Sequence, residues 1–153
     1  MLSKKTLKKQ VHHQLNLLLN KKIRICQQEI SSIKEARNND TKSSAGDKYE
    51  TGREMAQMEL NKNEASLSRI TRLKKELSSL PLEKTFHKID LGSLVLTNQD
   101  NYYISFGIGK IVLLNQEYHS ISLASPIAKV LLGKKIGDTI VFQNRIIIIQ
   151  DIL

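Results

Sequence analysis

The chain has no tryptophan, one cysteine, two prolines and three phenylalanines among its 153 residues. A single Cys26 excludes an intramolecular disulfide and points to a reduced compartment. No apolar run approaches the roughly 20 residues that span a bilayer, and the longest candidate, Ile146 to Ile149, is strand-sized. The opening, MLSKKTLKKQVHHQLNLLLNKK, lacks an unbroken apolar core followed by a small-residue cleavage site. The expectation is a soluble, cytoplasmic protein that does not enter a membrane.

A complete catalytic constellation is also missing. Gly107 and Gly109 lack the third glycine of a dinucleotide loop, because position 112 is Val, and they sit between strands rather than opening a helix. They read as hairpin-turn residues. His12 and His13 are adjacent, so they point about 100° apart on a helix, while His87 and His119 stand far off in sequence without cysteine companions. That pattern argues against a zinc site. Cys26 falls on an apolar stripe and reads as a packed thiol rather than a nucleophile.

Positive charge is plentiful. The formal net charge is +9, and residues 1–34 alone carry eight basic side chains against one acidic. Residues 35–62 carry a net −1, residues 63–80 a net +2 and residues 81–153 a net +1. A basic chain meets nucleic acid, an anionic membrane or an acidic protein surface, and charge alone does not separate these.

Apolar residues in the first half recur at helical spacing. Leu7, Val11, Leu15, Leu18, Cys26, Ile30 and Ile33 predict one long helix over 3–37. Met55, Met58, Ala65, Ile70, Leu73, Leu77 and Leu80 predict a second helix of about seven turns that stops at Pro81. Between them, residues 34–54 contain no Ile, Leu, Val, Met or Phe and are rich in turn formers, so the chain is expected to reverse there. Two narrow stripes then pair as an antiparallel coiled-coil hairpin. The alternative is an ordinary bundle with residues 34–54 as a solvated loop.

After Pro81 the period shortens. Strands are expected at Ser93–Thr97, Tyr102–Ile108, Lys110–Leu114, Ser120–Leu123, Thr139–Phe142 and Arg145–Ile152. One helix interrupts them, within SPIAKVLLG: Ser125 suits the N-cap, Pro126 the first helical position and Gly133 the stop. Leu131 and Leu132 read as core. The sum is an α+β chain with a helical hairpin at 1–80, its tip at 38–50, and an antiparallel sheet with one short helix at 81–153.

At the tip, Asp40, Asp47 and Glu50 lie within eleven residues of one another and could hold a hard cation such as Mg²⁺. Lys42, Lys48 and Arg53 are interspersed, so the acids read equally well as solubilising loop charges.

Two segments resemble the GreA/GreB family of transcript-cleavage factors. Ser125 to Asp138, SPIAKVLLGKKIGD, is similar to a C-terminal stretch of that family in which Ser-Pro precedes a short amphipathic helix and Gly-Lys-Lys-x-Gly-Asp leads into a strand. Upstream, His119 to Leu123 fits the strand expected there. Glu35 to Glu54 looks like a lengthened family tip: Glu-Ala-Arg, then Asp40, Ala45, Tyr49 and Arg53-Glu54 follow in the familiar order. The resemblance implies an FKBP-like C-terminal domain docked on bacterial RNA polymerase, with Ser125, Pro126, Ile127 and Lys129 as partner-binding residues. It also implies a hairpin that enters the secondary channel near nascent RNA, acting as a monomer.

In that family, tip carboxylates help hold a catalytic Mg²⁺ shared with the polymerase, which hydrolyses its own backtracked RNA; the factor binds no cofactor alone and is not itself an enzyme. This chain departs at one decisive place. Three residues after Asp40, where the family has an acid, stands Ser43, while Asp47 and Glu50 restore the Asp-x-x-Glu spacing further along. The metal-binding pair has therefore either moved or been lost, and loss would leave a factor that occupies the channel without stimulating cleavage. An FKBP-like fold raises prolyl isomerisation as well, but that chemistry uses an aromatic-lined pocket, and Phe86, Phe106 and Phe142 are the only phenylalanines. Direct nucleic-acid binding by the basic residues 1–34 is a further alternative, one that weakens steeply with salt.

Overall fold

A computed structural model describes residues 3–40 and 46–153, with side chains for all of these except 39, 40 and 46–49. Two long helices come first, α1 (Lys4–Asp40) and α2 (Gly46–Ser78). A sheet of β1 (Leu94–Thr97), β2 (Asn101–Ser105), β3 (Gly109–Leu113), β4 (Gln116–Ser122), β5 (Thr139–Phe142) and β6 (Arg145–Ile152) follows, with the short α3 (Pro126–Leu131) between β4 and β5. The α+β class follows from these elements. No helix among the described residues is long and apolar enough to cross a membrane.

The helices run further into residues 34–54 than the lack of apolar residues suggests. α1 continues to Asp40 and α2 begins at Gly46. Lys, Glu, Ala and Arg are good helix formers, and extending an existing helix adds a hydrogen bond per residue without a new nucleus. A segment with nothing to bury can thus remain helical.

Two compact units divide the chain. One holds the chain up to Leu17 together with Lys75–Leu153, and the other is Leu18–Lys74. In the second unit, Leu19, Cys26, Leu60 and Ile70 are buried, and Arg37 Nη1 donates to Gln57 Oε1 at 2.9 Å across the helix pair. Leu19, rather than the expected Leu18, carries the seam. Met55 and Met58, read as seam residues, are exposed.

In the sheet-bearing unit the strand order is β3-β4-β2-β1-β6-β5. β2 and β4 pair in parallel, a correction to the expected all-antiparallel sheet, while the other four pairs are antiparallel. The cause is the β2–β3 connection. Phe106 to Ile108 leaves one strand width open, and β4, returning from the β3–β4 hairpin, fills that gap beside β2. That hairpin turns on Leu114 and Asn115, both at positive φ (52° and 62°), without the glycine that usually announces such a turn. β4 accordingly starts at Gln116, four residues before the expected Ser120.

One face of the sheet carries Val95, Tyr102, Ile104, Ile140, Ile147 and Ile149, covered by Leu131 of α3 and by Phe86 and Ile89. Alternation puts Leu94 and Tyr103 on the other face, and both are fully buried. Tyr103 meets the start of α1: its hydroxyl lies 3.0 Å from His12 Nδ1. Burial, then the nearby Lys8 and His13, lowers the His12 pKa below its ordinary value, and burial raises that of Tyr103.

Candidate interaction surfaces

Of the predicted tip acids, Glu50 lies on α2 and is exposed, while the Asp40 and Asp47 side chains lie outside the described residues. Glu50, Arg53, Glu54 and Gln57 line one shallow depression. Their i, i+3, i+4, i+7 spacing places them on one helix face. Two carboxylates four residues apart offer hard oxygen ligands, and Arg53 between them tempers the local negative charge. The depression is open, so chemistry there would require a second macromolecule to close it.

Near the other end of the same unit, the antiparallel pairing joins two acid-free stretches. Residues 18–28 hold Lys21, Lys22 and Arg24, residues 65–74 hold Arg69, Arg72 and Lys74, and neither stretch contains Asp or Glu. The first stretch was visible as part of the basic N-terminal arm. The second becomes its neighbour only through helix pairing.

The SPIAKVLLG segment forms the expected helix and explains its own composition. The Ser125 hydroxyl accepts from Ala128 N at 3.3 Å and donates to Ser122 O at 2.9 Å, while Pro126 opens the first turn. Gly133 (φ 81°) and Gly137 (φ 91°) then hold the left-handed conformations that carry the chain into β5. Of the four predicted contact residues, Pro126 and Lys129 are exposed. Ser125 is occupied by capping, and Ile127 packs against the core.

Leu132 is a further correction. Leu131 is buried, as read from the sequence, but Leu132 is 47 % exposed. Adjacent residues on a helix point about 100° apart, so only one of the two leucines can face the sheet. Leu123, Pro126, Lys129 and Leu132 are all exposed. The exposure of Leu123 and Leu132 was not anticipated.

The parallel β2–β4 register creates a cluster that sequence spacing hides. Asn101 is paired with Tyr118 and Tyr102 with His119, which sets Asp100 beside Glu117. Ligand atoms of Asp100, Glu117 and His119 all lie within 4.8 Å of one another. These could hold a metal ion, yet both acids already have cationic partners: Asp100 meets Arg145 at 3.4 Å, and Glu117 meets Lys110 at 3.1 Å. The arrangement is a charge-balanced network around His119 Nε2, which stands 4.0 Å from Asp100 and 3.8 Å from Glu117.

No protein-family model and no curated protein matches the chain. A solved structure described as that of the transcription factor Gfh1 is similar to it at 21 % sequence identity, over 92 % of each chain, with a TM-score of 0.34.

Proposed function

We propose that the chain is a non-catalytic transcription factor of GreA/GreB type. In this reading the sheet-bearing unit docks on bacterial RNA polymerase through Pro126 and Lys129, with Leu123 and Leu132 beside them, and the α1–α2 turn enters the secondary channel. The observation that carries it is Ser125–Asp138, which forms a capped short helix with proline at N1, two positive-φ glycines and the entry to β5, over the fourteen residues whose sequence resembles that family's.

The polymerase would remain the enzyme. Asp40, Asp47 and Glu50 would add carboxylate oxygens to a Mg²⁺ held mainly by the polymerase, where two metals stabilise the attacking and leaving oxygens of phosphodiester hydrolysis. The acid-free cationic stretches of the hairpin suit the approach to the negatively charged nucleic acid of an elongation complex. The test is RNA shortening in stalled complexes with the wild-type chain and with Asp40→Asn, Asp47→Asn and Glu50→Gln. Loss of shortening in one or more variants supports the tip; unchanged shortening in all three removes it from the mechanism.

Ser43, where the family has an acid, favours a second reading, in which the chain occupies the channel without stimulating cleavage. Wild-type protein that displaces an authentic cleavage factor but produces no shortening would establish that reading.

A further inference from the structure

We propose that Asp100, Glu117 and His119 hold one divalent transition-metal ion of the zinc class, which ties the β1–β2 turn to β4. Asp100 Oδ1, Glu117 Oε2 and His119 Nε2 would be its three protein ligands. This site is independent of the polymerase reading and of the tip acids.

Strand register brings the three residues together. Glu117 and His119 are two apart on β4, so their side chains leave the same face of the strand. Parallel pairing sets Tyr102 of β2 opposite His119, and Asp100 stands just before β2. Asn101 Nδ2 donates to the Glu117 carbonyl oxygen at 3.3 Å, which fastens the two strands at this point. The Tyr102 hydroxyl donates to Asp100 Oδ2 at 3.4 Å, and the Tyr102 and His119 rings lie 5.9 Å apart. Neighbours that are not ligands thus orient the side chains that would be.

Each carboxylate divides its oxygens between two tasks. Arg145 reaches Asp100 at Oδ2, and Lys110 reaches Glu117 at Oε1. The other two oxygens, Asp100 Oδ1 and Glu117 Oε2, face His119 Nε2 at 4.0 and 3.8 Å. Those separations exceed the roughly 2.7–3.2 Å of a hydrogen bond, so the imidazole nitrogen bonds to neither oxygen. They suit atoms that share an ion: the centre of a triangle with sides of about 4 Å lies about 2.3 Å from each corner, near the roughly 2.0–2.2 Å of zinc–oxygen and zinc–nitrogen bonds. Arg145 and Lys110 are about half exposed, so water screens their repulsion of a bound cation. Asp100 and His119 are one-third exposed, which leaves a further coordination position to solvent. An imidazole beside two carboxylates, without a thiolate, favours zinc and its first-row neighbours over magnesium or calcium.

Calorimetric titration of the full chain with zinc chloride and with magnesium chloride at pH 7 tests the site. Saturable zinc binding is expected, about a hundredfold or more tighter than magnesium binding. His119→Gln, Asp100→Asn and Glu117→Gln should each weaken zinc binding about tenfold or more by removing one ligand. Histidine side-chain NMR of the wild-type chain gives a readout that needs no variant to fold: the His119 imidazole resonances should move as zinc saturates. No saturable zinc binding, magnesium bound as tightly as zinc, His119 resonances that stay in place, or zinc binding unchanged by His119→Gln or by both carboxylate substitutions overturns the proposal.

Discussion

In the sheet-bearing unit, apolar side chains are buried on both faces of β1 and β2, under α3 on one side and the start of α1 on the other. In the Leu18–Lys74 unit, the buried apolar residues among those described are Leu19, Cys26, Leu60 and Ile70, a single seam. A seam leaves most of each helix surface to polar and charged residues. That is why the hairpin can carry acid-free basic stretches and an exposed Glu50, while the sheet-bearing unit spends most of its apolar residues on a packed scaffold. Stability and surface chemistry are thus largely separated along the chain.

Core truncation should show the largest contrast. Ile147→Ala is expected to cost about 3–4 kcal/mol, as for a fully enclosed aliphatic side chain. Ile70→Ala, on the narrower seam, should cost roughly 2 kcal/mol, because the helices can relax around the gap. Urea denaturation of both variants measures this, and equal losses would erase the distinction between the units.

Lys8→Met comes next. The folded state lowers the Lys8 pKa to about 8 from 10.5, so below pH 8 the charged group is carried at a cost in the native state. Between pH 8 and pH 10 the unfolded chain holds more protons than the folded one, and wild-type stability should rise with pH. The substitution should therefore stabilise the protein at pH 7 by up to about 3 kcal/mol and flatten that rise. A variant less stable than wild type at pH 7 would show that the ammonium is compensated. His12 acts with the same sign in a lower window: its depressed pKa means stability falls as pH drops below about 6.5. His12→Gln should weaken that acid dependence in thermal unfolding.

Ser125→Ala should cost about 1 kcal/mol by removing the α3 cap, and should weaken polymerase binding only through that local loss. Lys129→Ala should leave thermal stability within about 0.5 kcal/mol of wild type while reducing polymerase binding. Unchanged polymerase binding in this variant would overturn the proposed docking through α3. Smallest of all, Arg37→Ala removes one exposed hydrogen bond to Gln57 and should cost no more than about 0.5 kcal/mol in urea denaturation.

Much of the architecture was legible from periodicity and punctuation. Helical spacing over Val11 and Leu15, the stop near Pro81, the Ser125-Pro126 cap and the Thr139–Phe142 and Arg145–Ile152 strands are local patterns, written in consecutive residues. Local patterns do not report what lies opposite. Met55 and Met58 look like seam residues yet are exposed, and Leu132 looks like core yet is exposed while Leu131 is buried. The helices' extension to Asp40 and Gly46 was hidden because polar helix carries no apolar signal.

The sequence by itself therefore determined the class of each element, the order hairpin then sheet, the α3 cap and the charge distribution, since all of these depend on neighbours along the chain. Only the tertiary structure decided the parallel β2–β4 register, the meeting of Asp100, Glu117 and His119, and the burial of Lys8 beside Phe86. Each joins residues from separate elements, and such contacts arise only when long-range packing chooses which of several locally acceptable faces turns inward.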